Sequence, residues 1–203
     1  MNSASTHNID MRQFVIWKTV YDDGFCICTT LQGYEDAHKL KRGEPSGPAF
    51  PREAYFKMDP DFPNDLKLGD NIKNSGGFLL VSKELKEAVE HQVAELIEYL
   101  PVQIINHKGR LASADYFIIN PLAIYDAIDL ERSSLKRNNI NPDAITSISK
   151  LVLNQDRIPA KAPMFRLKAF ERRVVLDRRV ADSLSMGGFI GLVFTNVTDF
   201  RGF

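Results

Sequence analysis

Asp126 and Asp129 stand three residues apart, a spacing that could place two carboxylates on one side of the chain as an acid/base pair. Glu131 follows them. Such a pair also needs a substrate pocket and a partner base, and the flanking sequence carries a signature of neither. The three acids read as capping or surface charge, with a small hydrolase-like enzyme kept as the alternative. Cys26 and Cys28 flank Ile27, which in a strand puts both thiols on one face. Zinc would require two further ligands at suitable spacing, and the sequence has no second pair. A disulfide between strand positions two apart would be badly strained, so both read as buried structural thiols. His7, His38, His91 and His107 form no His-Glu-x-x-His array. Gly187, Gly188 and Gly191 imitate a phosphate loop, but the expected order is helix, glycines, strand, the reverse of a dinucleotide site. They read as a helix stop and a turn. No nucleophile elbow or P-loop occurs. No metal, cofactor or catalytic residue is expected.

Two charged groups are better suited to contact than to catalysis. Arg172, Arg173, Arg178 and Arg179 form a basic cluster, read either as a solvated face or as a surface that recognises carboxylates and phosphates. Asp59, Asp61, Asp65 and Asp70 lie in a proline-rich stretch with Tyr55, Phe56 and Phe62. Their spacing does not fit a calcium loop. Either they keep a loop soluble, or they form an acidic arm that pairs with basic groups of a partner. These seven residues are the candidate partner-binding set.

The chain has 203 residues, 44% of them hydrophobic, which suits a single domain with a real core. Its 26 basic and 26 acidic side chains balance, which argues against general nucleic-acid or anionic-membrane binding. Residues 1–100 hold 11 basic and 16 acidic side chains, a net of −5, so the second half carries the compensating +5. The polar start lacks the basic end and apolar run of a secretory signal. No apolar run reaches the ~20 residues of a membrane helix. A cytoplasmic protein is expected.

Residues 1–10 are expected to be disordered. Residues 14–17 and 25–29 read as strands, joined into a hairpin by an Asp23-Gly24 turn. From Gly33 to Gly77, prolines and glycines break the pattern into a structured or mobile covering loop, so residues 11–54 comprise the first strands and irregular chain. Residues 82–97 form the clearest helix: Leu85, Ala88, Val89, Val93, Leu96 and Ile97 make one apolar stripe, and Ser82 caps it. Residues 145–153, 164–170 and 174–176 read as strands. Asp177 then caps a helix that ends near Met186, and residues 189–197 form a closing strand. Mostly strands with a few packed helices and short connections point to an α+β fold with a largely antiparallel sheet.

Residues 100–106 and 116–122 are apolar runs on either side of Lys108-Gly109, a hairpin pattern. Asn120 and Pro121 suit the start of a helix after it. Leu79-Leu80-Val81-Ser82 leads into Leu85-Lys86, then Glu98-Tyr99-Leu100-Pro101-Val102 and Ile105-Asn106-His107-Lys108-Gly109. Tyr116-Phe117-Ile118-Ile119-Asn120-Pro121-Leu122, Asp126-Ala127-Ile128-Asp129, Lys150-Leu151-Val152-Leu153, Ile158-Pro159 and Phe165-Arg166-Leu167-Lys168 follow in order. Together these resemble immunity protein family eleven of bacterial polymorphic toxin systems, the myxobacterial-type immunity domain. The resemblance spans residues 55–197, and the first fifty residues match nothing recognisable. It implies a protein without catalysis that binds and neutralises a cognate toxin protein. The matching residues are chiefly apolar or turn formers, so they mark the fold and leave the toxin-binding face open. A third reading, self-association into a homo-oligomer through a sheet edge, also stays open.

Overall fold

The computed structural model describes residues 12–202, save 95 and 143. The disorder expected of residues 1–10 lies outside them. In chain order the elements are β1 (Phe14–Thr19), α1 (Ala37–Leu40), β2 (Tyr55–Lys57), β3 (Asn71–Ile72), β4 (Leu79–Ser82), α2 (Lys83–Gln92), β5 (Ile97–Ile105), β6 (Leu111–Pro121), β7 (Ile124–Tyr125), β8 (Ser134–Arg137), β9 (Ile145–Lys150), β10 (Met164–Leu167), β11 (Phe170–Asp177), α3 (Arg178–Met186) and β12 (Leu192–Asn196). One five-stranded sheet runs β12-β1-β11-β10-β7, a second runs β2-β5-β6-β4-β3, and β8 and β9 form a ribbon. Each large sheet contains one parallel pairing, β10 with β7 and β2 with β5. The expectation of a largely antiparallel sheet is therefore corrected to a sheet-dominated fold with mixed sheets.

Period-two alternation on the central strands explains how the sheets stack. In β1, Phe14 and Ile16 enter one core while Val15 and Trp17 enter another. In β11, Val175 joins the first core and Val174 and Leu176 join the second. In β6, Ile119 meets the same second core and Ile118 a third. The second core thus lies between the two sheets, with Leu85 and Val89 of α2 and Ala181 and Leu184 of α3 packed into it. The outer face of the first sheet is covered by residues such as Ile128, Ile148, Leu151 and Phe200. The outer face of the second is covered by Cys26, Cys28, Leu31, Leu40 and Phe56. Each fully buried aliphatic or aromatic side chain contributes about 1.5–3 kcal/mol.

The hairpin of β5 and β6 forms as expected, with Leu100 opposite Ile118 and Val102 opposite Tyr116. Gly109 takes φ +73° at its turn, a conformation that costs glycine little. Ser82 caps α2 by accepting from the Leu85 amide at 3.2 Å. The helix stops at Gln92, though, and not at residue 97. Ile97 pairs with Pro121 at the start of β5, and Leu96 is left 71% exposed. The long β6 partner supplies a ladder to residues that an extended helix would have withheld from it.

Three further expectations give way for similar reasons. Residues 25–29 form no hairpin with β1, because β11 and β12 occupy both edges of that strand. Phe25 and Cys28 make only isolated bridges, to Lys67, Met58 and Asn74. Asn120 and Pro121 do not start a helix, since β6 continues through them. The irregular stretch after Gly33 is a structured cover that contributes β2 and β3 to the second sheet. Asp177 does cap α3, accepting from the Arg179 amide at 3.0 Å.

Candidate functional site

The acidic arm is built from tight turns, which proline and aspartate favour. Asp59 Oδ1 accepts from the Asp61 amide at 3.1 Å, the Phe62 amide donates to Asp59 O at 3.1 Å, and the Asp65 amide donates to Phe62 O at 3.1 Å. The β5–β6 hairpin anchors it, through the Met58 amide on Ile105 O at 2.8 Å and His107 Nε2 on Asp59 O at 2.9 Å. Tyr21 closes the other side. Its ring lies 5.9 Å from that of Phe62, and its hydroxyl hydrogen-bonds Asp65 at 2.9 Å and Asp23 at 3.0 Å. Those bonds, Asp65 first, push the hydroxyl up to about 12. Tyr21, Asp23, Asp61 and Phe62 are exposed, and Asp59 and Asp65 are half-buried. The result is a fixed patch of carboxylates around two aromatic rings. It can accept hydrogen bonds from lysine and arginine while offering apolar contact.

The seven candidate residues do not all join this patch. Asp59, Asp61, Phe62 and Asp65 do. Tyr55 is half-buried on β2 with Lys57 Nζ 5.8 Å above its ring. Phe56 is fully buried, 6.0 Å edge-on to Phe78, so its place is in the core and not at a partner surface. Asp70 accepts from Ser82 Oγ at 2.8 Å and the Ile190 amide at 2.9 Å, which ties the loop after α3 to β4. Tyr21 and Asp23 were missed in the sequence because they lie some forty residues before the arm. Only the fold brings them beside it.

The other chemistry-bearing groups disperse. Asp126 pairs with Arg157 at 3.5 Å and Asp129 with Arg132 at 4.0 Å, both near the surface, and neither lines the large cleft between the sheets. Cys26 and Cys28 are buried and unoxidised. Their thiols hydrogen-bond one another, which holds Cys26 below and Cys28 above the usual thiol range. Among the described residues, no three His, Cys, Asp or Glu side chains gather as metal ligands. The arginine cluster splits. Arg178 contacts Asp182 and Asn196, and Arg179 contacts Asp177, whereas Arg172 and Arg173 turn toward a cleft.

One buried network escaped the sequence. Arg166 is 6% exposed and donates to Pro121 O at 2.9 Å, Glu171 O at 2.6 Å, Leu40 O at 3.3 Å and Asn120 Oδ1 at 3.2 Å. Asn120 Nδ2 donates in turn to Glu44 O and Glu98 Oε2, both at 3.1 Å. Glu98 accepts from the amides of Ser46 and Gly47. The chain pins its covering loop to both sheets through these three side chains.

No helix among the described residues is long and apolar enough to cross a membrane. No curated protein matches the chain. The sequence profile of the immunity protein family Imm11 matches residues 29–199, starting well before the stretch at 55–197 that carried the resemblance and taking in Asp59–Asp65 of the acidic arm, the whole second sheet and every strand of the first except β1. With most of its length covered by that match, the chain belongs to the immunity protein family Imm11.

Proposed function

We propose that this protein binds a cognate bacterial toxin and neutralises it by covering the toxin's active or binding site. Family membership carries this reading. In a polymorphic toxin system the protein would guard its producer and kin from inside the cytoplasm. It would act through shape and charge, without catalysis or cofactor. The acidic arm is the proposed contact, comprising Asp59, Asp61, Phe62 and Asp65 with Tyr21 and Asp23 beside them. Exposed aromatic rings amid charge of one sign suit an interface anchor with electrostatic steering. A standard interface of about 1,600 Å² would accommodate this arm with surrounding chain.

Co-expression tests the proposal. A toxin domain encoded beside this gene should arrest growth when produced alone and fail to do so when the immunity chain is present. The two chains should also co-purify. Growth arrest that persists despite abundant folded immunity chain would refute the reading.

A further inference from the structure

A cleft of about 590 Å³ opens between the two sheets, and its charge is one-sided. Lys18 and Arg172 reach it from β1 and β11, Lys41 from the turn after α1, Lys73 from the turn before β4, and Arg201 from the last residues described. Arg173 lines it too, and Arg166 lies in its wall. Among the described residues, no acidic side chain lines it. Lys18, Lys41, Lys73, Arg172 and Arg201 have no carboxylate partner among the described residues. Backbone carbonyls and Asn120 satisfy the Arg166 hydrogen bonds, and none of these four acceptors is a carboxylate. Burial, reinforced by the neighbouring Arg172 charge, lowers both Lys41 and Arg173, as expected of cations gathered close together.

The cleft also offers apolar surface and a waiting donor. Lys18 Nζ lies 5.0 Å from the Phe200 ring and Lys41 Nζ lies 5.2 Å from the Phe78 ring, with both rings in the lining. Trp17 lines the same cleft at 3% exposure, and its buried indole N–H has no hydrogen-bond partner. A buried donor without an acceptor is costly, and an anion in the cleft could supply one. Cations converging from five separate segments match a compact centre of charge. A linear acidic peptide would spread its carboxylates at about 3.3 Å per residue. The volume falls within the ~300–1,000 Å³ of small-ligand sites.

We propose that this cleft binds a compact, multiply charged anion bearing phosphate groups, of nucleotide size. The site is separate from the acidic arm and independent of the immunity reading, so either can fail without the other. Trp17 is the chain's one tryptophan and reports on the site directly. Titration with inorganic pyrophosphate, and separately with metal-free ATP, at about 0.15 M salt should change its emission saturably, with calorimetry giving the same affinity. The Arg172→Gln/Arg201→Gln double variant alters two exposed side chains and should keep the wild-type melting temperature. It should weaken binding by about tenfold or more, since each change removes a charge-assisted contact. Absence of saturable binding by both phosphate probes overturns the proposal. Phosphate binding that ignores the double variant overturns the location. A hexaglutamate peptide that binds where pyrophosphate and ATP do not overturns it in favour of an acidic protein segment.

Discussion

Burial draws Arg166 down to about 10, yet it stays charged at neutral pH because four acceptors replace its water. Arg166→Met would strand three carbonyls and the Asn120 amide in the interior. At about 1–3 kcal/mol for each orphaned group, with partial relaxation, the loss should reach roughly 3 kcal/mol. Arg166→Lys keeps the charge but lacks the planar fork, so it should recover only part of that. Urea unfolding measures both, and a midpoint for Arg166→Met equal to wild type would show that the network is dispensable. Gly43 belongs to the same site. Its φ is +71°, and a Cβ there would lie 2.9 Å from Arg166 Cδ and 3.0 Å from Pro121 O. Gly43→Ala should therefore destabilise by about 1–3 kcal/mol, and a variant as stable as wild type would contradict this packing. None of this was legible in the sequence. Asn120-Pro121 has the local chemistry of a helix start, and the partners that override it, Glu44 and Arg166, are distant in the chain.

Asp177 shows how one cap joins three segments. Its carboxylate receives the Arg179 amide at 3.0 Å and Arg12 Nε at 3.1 Å, and Arg12 also holds Pro159 O and Ala162 O. Burial pushes the carboxyl up, but the hydrogen bonds from Arg179 and Arg12 outweigh it and hold the group below the usual carboxylate range. An acid with a depressed folded-state pKa adds stability that is fully present above its unfolded value, about 3.9, and is lost as pH falls through the folded value. Asp177→Asn should thus cost about 1–2 kcal/mol at pH 7, from the weakened cap and lost charge. The gap from wild type should shrink below about pH 4. Denaturant midpoints across that range measure it, and a gap independent of pH would exclude this role. Elements with strong local signals were legible: the Asp177 cap, the Ser82 cap, the β5–β6 hairpin and the alternation in β1. Boundaries set by distant partners were not. The stripe from Leu85 to Val93 is helical or directly follows the helix, but Ile97 answers to the β6 ladder.

Across the molecule, charge is segregated into an acidic arm and a basic cleft, which a net charge of zero conceals. The sequence exposed the arm through its run of aspartates and the −5 of the first half, but not the cleft, whose cations come from distant segments. The sorting of the candidate residues was equally hidden, since Phe56 and Phe62 look alike in sequence while one is core and the other surface. In the function proposed above, the protein covers a toxin with that acidic surface. Stopped-flow association of the purified chain with the toxin domain encoded beside it, across a salt series, tests this most directly. The wild-type chain should associate quickly and more slowly as salt rises. Asp59→Asn/Asp61→Asn/Asp65→Asn should slow association about tenfold at low salt and flatten the salt dependence. No complex with the toxin, or identical rates and salt slopes for the two chains, would contradict the claim.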